Sequence, residues 1–94
     1  MSEQRFDSVW DALEDSPAEA VNMRARADIM IAIGEAVAHW GITQAEAARR
    51  LGVTQPRLND LLRGRIDNFS LDALLNLAVA AGLSVTWQVT RPAA

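Results

Sequence analysis

Four times in this chain a hydroxyl residue, a run of apolar residues at helical spacing and a glycine follow one another in that order. Ser16 and Gly41 bracket the first run, Thr43 and Gly52 the second, Thr54 and Gly64 the third, Ser70 and Gly82 the fourth. A Ser or Thr hydroxyl accepts a hydrogen bond from an unpaired N–H of the first helical turn, and Gly takes the left-handed conformation that ends a helix. The punctuation therefore predicts where helices start and stop. Ser16-Pro17-Ala18-Glu19 and Thr43-Gln44-Ala45-Glu46 add the carboxylate of a capping box, and Pro17 falls at a first helical position, where its missing N–H has no partner to lose. The expected helices run from Pro17 to about His39, from Gln44 to Leu51, from Gln55 to about Arg63 and from Leu71 to about Ala81.

Apolar periodicity gives each helix a face for the core. The long helix has Ala27, Met30, Ile31, Gly34, Val37 and Ala38. The next three have Ala47, Ala48 and Leu51, then Leu58, Leu61 and Leu62, then Leu74, Leu75, Leu77 and Ala78. Upstream, Phe6, Val9, Trp10 and Leu13 form the face of a further short helix, which Asp15-Ser16-Pro17 interrupts. After Gly82 the period changes to two. Leu83, Val85, Trp87 and Val89 alternate with Ser84, Thr86, Gln88 and Thr90, the pattern of a half-buried strand, and Pro92 ends it. The expected fold is mostly α, five helices with a C-terminal β-strand, in a single domain spanning residues 1–94.

A lone strand leaves its backbone groups unpaired. The expected partner is the same strand of a second copy across a two-fold axis, with Leu83, Val85, Trp87 and Val89 forming the dimerisation surface. The alternative is that Phe6–Leu13 is extended and pairs with the strand within one chain.

Composition excludes several classes of function. The chain has no cysteine, so it forms neither a disulfide framework nor a thiolate site. His39 is the single histidine, and beside Trp40 near a helix end it reads as a capping or surface residue, so no His-based metal site or triad is expected. The glycines are spaced as helix stops, without a P-loop or a dinucleotide fingerprint. No enzyme, cofactor or metal is expected. No apolar run reaches membrane-spanning length, and the polar, acidic start does not resemble a signal peptide, so the expected location is the cytoplasm.

The net charge of −3 looks unfavourable for nucleic acid, but it is unevenly spread. Residues 1–40 carry −5, residues 41–66 carry +3 and residues 67–94 carry −1, and every base is Arg. The basic segment coincides with Thr43–Gly64, TQAEAARRLGVTQPRLNDLLRG. It reads as a capped helix, a short turn opening with Gly52, and a second capped helix. Ala47 and Ala48 are small enough to let the two helices approach, and Val53 is apolar and placed to plug the angle between them.

Through Thr43, Gln44, Ala47, Ala48, Leu51, Gly52, Val53, Thr54, Gln55, Leu58 and Gly64 the chain resembles the helix-turn-helix regulators of the repressor–Cro (XRE) type. TQPRLNDLLRGRIDNFSLDALLNLAVAAGLSV further resembles the HigA-like antitoxins of toxin–antitoxin operons, over about Ala18 to Val89. The resemblance implies a repressor-like DNA-binding domain whose second motif helix lies in the major groove of a palindromic operator.

On that helix Leu58, Leu61 and Leu62 face inward, leaving Gln55, Arg57 and Asn59 as candidates for reading bases, Gln suited to adenine and Arg to guanine. Thr43, Gln44 and Thr54 lie at helix N-termini, where backbone N–H groups favour a phosphate. Arg50, Arg63 and Arg65 are candidate phosphate contacts, and Asp60 is expected to pair with and orient Arg57 or Arg63, the alternative being that it accepts from cytosine N4.

The function this implies is a transcriptional repressor acting as the antitoxin of a type II operon. It would bind double-stranded DNA as a homodimer and dock a small basic ribonuclease toxin, for which the acidic first 40 residues are the candidate surface. The alternatives are a stand-alone regulator with no toxin, and a protein-interaction module that has lost DNA binding.

Overall fold

The computed structural model describes residues 16–93. They form four α-helices and one short 3-10 turn: α1 (Pro17–Trp40), α2 (Gln44–Leu51), α3 (Gln55–Leu62), the turn Ile66–Asn68, and α4 (Leu71–Ala80). Each α-helix starts at its expected hydroxyl. Ser16 accepts from the Glu19 N–H at 3.0 Å, Thr43 from Glu46 at 3.1 Å, Thr54 from Arg57 at 3.3 Å and Ser70 from Ala73 at 3.1 Å.

The corner between α2 and α3 is where glycine is required. Gly52 has φ 76°, and this left-handed residue returns its own N–H to the Arg49 carbonyl and the Val53 N–H to the Ala48 carbonyl, at 3.1 and 2.9 Å. Two orphan carbonyls of α2 are satisfied in the act of reversing the chain.

The core lies where α1, α3 and α4 meet, closed at one end by α2. Ile33, Leu58, Phe69 and Leu74 are fully buried, with Met30, Ala47, Ala48, Leu51, Leu61, Leu77, Ala78 and Ala81 around them. The faces expected on the short helices hold, except that Leu62 is 37% exposed and Leu75 is only partly buried and outside the core cluster. On α1 the inward stripe is rotated from the expected one. Met30 and Ile33 are buried, whereas Ile31 is 61% exposed and Ala38 is also on the surface. In the run Ile29–Ile33 four of five residues are large and apolar, so periodicity alone does not fix the phase.

Five helices with a C-terminal strand is corrected by the structure. The expected helix over Phe6–Leu13, and its extended alternative, lie outside the described residues. Among the described residues no β-strand forms, and residues 83–93 run on without regular structure. Every other element there is helical, so the segment has no ladder of N–H and C=O groups to join, and its alternation sets only which side chains face in. Leu83 and Val85 are half-buried against the core. Beyond them the chain leaves the protein surface, and Trp87 and Val89 are 81% and 88% exposed. The backbone pairing expected across a dimer falls with the strand. No helix among the described residues is long and apolar enough to cross a membrane.

Candidate nucleic-acid interface

α2, the Gly52 corner and α3 form one two-helix unit. The inner face of α2 is only as thick as Ala47 and Ala48, both buried, and α3 packs against it through its own buried side of Leu58 and Leu61. Val53, half-buried, joins the core at the corner. With those faces committed, the N-terminal ends of both helices point their polar residues outward, Thr43 and Gln44 on α2 and Thr54 and Gln55 on α3, all exposed. Each threonine hydroxyl caps its helix, which leaves the Gln44 and Ala45 N–H groups of α2 available to an anion, but on α3 only that of Gln55, because Pro56 has none. Asn59, one turn along α3 from Gln55, is half-exposed. Among the described residues neither the Gln55 nor the Asn59 amide has a side-chain hydrogen-bond partner.

The arginines of the motif are in different situations. Arg63 is exposed and makes no side-chain ion pair or hydrogen bond among the described residues. Arg50 lies over the Trp40 ring, 4.4 Å from its centroid, so the end of α1 supports it. Arg49 approaches Glu46 at 3.9 Å, and both are well exposed, a pair worth little in water. Arg65 meets Asp60 at 3.5 Å, and the second Asp60 oxygen accepts from Asn68 Nδ2 at 3.4 Å. The partner of Asp60 is therefore Arg65, beyond the end of α3, rather than Arg57 or Arg63 one turn away. Arg57 is half-buried. Its guanidinium stands 4.0 Å from the centroid of the Phe69 ring, and its Nη1 donates to the Asn68 carbonyl at 2.8 Å.

The turn after α3 is thus part of the site, and sequence reasoning did not include it. Its other anchor is Arg26 of α1, whose Nη1 donates to the carbonyls of Ile66 and Phe69 at 3.0 and 3.3 Å, while its Nε donates to Asn22 at 2.7 Å. A signal for Arg26 was present: it stands four and seven residues before Met30 and Ile33, continuing the buried stripe of α1 toward its N-terminus. Phe69 and Asn68 carried no comparable signal, because their role arises only when the turn folds against α3. No group of three His, Cys, Asp or Glu placed to hold a metal occurs among the described residues.

Comparison with known proteins agrees with this arrangement. A family model described as a helix-turn-helix domain matches residues 12–90. A solved structure whose name places it among the XRE family of transcriptional regulators superposes with a TM-score of 0.72 at 24% identity, covering 79% of this chain and 83% of that one. At that identity the likeness is one of fold. No curated protein matches the chain.

Proposed function

The chain belongs to the helix-turn-helix domain family, and from that premise we propose that it is a sequence-specific DNA-binding transcriptional repressor, the antitoxin of a type II toxin–antitoxin operon. The observation that carries the DNA reading is the exposed N-terminal turn of α3, capped by Thr54 and displaying Gln55 from a rigid two-helix unit. A helix end of this kind enters a major groove with its first residues against the base edges. Thr43 and Gln44 at the start of α2, with Thr54, Arg50, Arg63 and Arg65, then lie on the phosphates.

The family of the solved neighbour, by its printed name, supports transcriptional regulation. The antitoxin role is supported by the HigA-like resemblance and by the carboxylates of Asp28 and Glu35, exposed on one side of α1 beside Arg24, which a basic partner such as a small ribonuclease would meet.

A second copy completes the DNA reading, because a palindromic operator needs two α3 helices about 34 Å apart. Trp87 and Val89 supply an apolar surface for it, with Leu83 and Val85 at its base. Trp87→Ser is expected to shift the chain from dimer to monomer at micromolar concentration, read by light scattering. An unchanged mass would remove this segment from the interface.

The test of DNA binding is a gel shift on the DNA upstream of the chain's own gene, with Gln55→Ala as the control. A shift that Gln55→Ala weakens supports the reading, and no shift by the wild type at low salt overturns it. One observation favours a protein-interaction module instead. Arg49, Arg50, Arg57 and Arg65 all have partners within the chain, which leaves less charge for phosphates. The absence of a shift would decide for that module.

A further inference from the structure

Arg57 occupies the place on α3 where sequence reasoning aims a guanidinium at guanine, but the fold uses it elsewhere. Its guanidinium covers the ring of Phe69, which is 1% exposed, and one N–H is committed to the Asn68 carbonyl. Arg26 holds the neighbouring carbonyls of Ile66 and Phe69 from α1, so guanidinium groups from α1 and α3 converge on residues 66–69. Asn68 returns a second tie to α3 through Asp60, which Arg65 also holds.

We propose that Arg57 is a positioning residue that sets α3 against the 66–69 turn, and that the bases are read by the amides of Gln55 and Asn59. The consequence is a half-site chosen for adenine rather than guanine. This rests on the DNA-binding reading above.

An arginine that reads guanine presents two parallel N–H groups to O6 and N7. Arg57 would have to give up the ring stack and the carbonyl together to do so. Gln55 and Asn59 give up nothing, since their amides have no side-chain partner among the described residues and lie one turn apart on the outward side of α3. The carbonyl and NH2 of an amide match the N6 and N7 edge of adenine. The stack and the hydrogen bond act instead on the angle of α3, and therefore on every contact that helix makes.

The experiment selects bound duplexes from a randomised pool, then measures affinity on the winners at several salt concentrations, for wild type, Arg57→Met and Gln55→Ala. Methionine still covers Phe69 but cannot bond the Asn68 carbonyl. The wild type is expected to enrich half-sites with adenine columns and no invariant guanine. Arg57→Met is expected to return the same consensus, bind every sequence about five- to tenfold more weakly, and keep the wild-type salt slope. Gln55→Ala is expected to lose an adenine column.

A G·C column lost in Arg57→Met would make Arg57 a base reader, a salt slope reduced by about one would make it a phosphate contact, and unchanged affinity would remove its positioning role. Any of these overturns the inference and leaves DNA binding standing, whereas wild type that selects no DNA overturns both. Thermal unfolding checks the fold of each variant. If Arg57→Met is unfolded at assay temperature, Arg57→Leu, a good helix former that also covers Phe69 and has no donor for the Asn68 carbonyl, takes its place with the same expected outcomes.

Discussion

At the scale of single residues, the core and the turn clamp are distinguishable by what their loss costs. Leu58 is fully buried on the inner side of α3, so Leu58→Ala removes apolar contact and leaves a cavity among Ile33, Phe69 and Leu74. It is expected to cost about 2–5 kcal/mol in a urea titration, a large part of what a domain of this size has in total. Arg26→Met keeps most of the apolar stem and removes two charge-assisted bonds to the Ile66 and Phe69 carbonyls. The expected loss is about 1–3 kcal/mol, with faster amide exchange confined to the turn and the start of α4. An Arg26→Met chain as stable as the wild type would show that water replaces the guanidinium there at no cost.

Among elements, the α2–α3 corner depends on one backbone conformation. A Cβ built on Gly52 meets nothing within 4 Å, yet its φ of +76° is unfavourable for any L side chain. Gly52→Ala is therefore expected to cost about 1–2 kcal/mol by conformation alone, measured as a lowered unfolding midpoint without loss of helical circular dichroism.

The same corner shows why this part of the fold was legible in the sequence. A cap joins residues three positions apart, so Ser16, Thr43, Thr54 and Ser70 announced all four helix starts in advance. What depended on distant parts of the chain was less legible. Ile31 and Ile33 are equivalent in composition, and only the position of α4 decides that Ile33 is the one inside. The alternation after Gly82 was real for Leu83 and Val85, but a strand needs a neighbour, and no described element provides one. At the candidate site, Gln55 and Thr54 were visible as a capped helix start. The occupation of Arg57 was not, because Phe69 reaches it only through the intervening turn.

For the whole molecule, charge limits how DNA is held. The chain carries −3 overall, and the motif's cations are few and largely supported by partners within the fold. If Arg50, Arg63 and Arg65 of each copy meet phosphates, the logarithm of the binding constant is expected to fall with the logarithm of salt with a slope of about −5 for a dimer. A fluorescence titration across salt concentrations checks this, and a slope near −10 would mean that many more cations are engaged.

The Arg50–Trp40 stack gives that titration its signal. Trp40 is half-buried with a guanidinium 4.4 Å from its ring, whereas Trp87 is 81% exposed, so the two indoles report on different events. With Trp10 replaced by phenylalanine, emission from Trp40 would change when Arg50 turns from the ring to a phosphate. Emission from Trp87 would shift to shorter wavelength when a second copy covers it. Docking on DNA and self-association would then be followed in one cuvette, without an added dye.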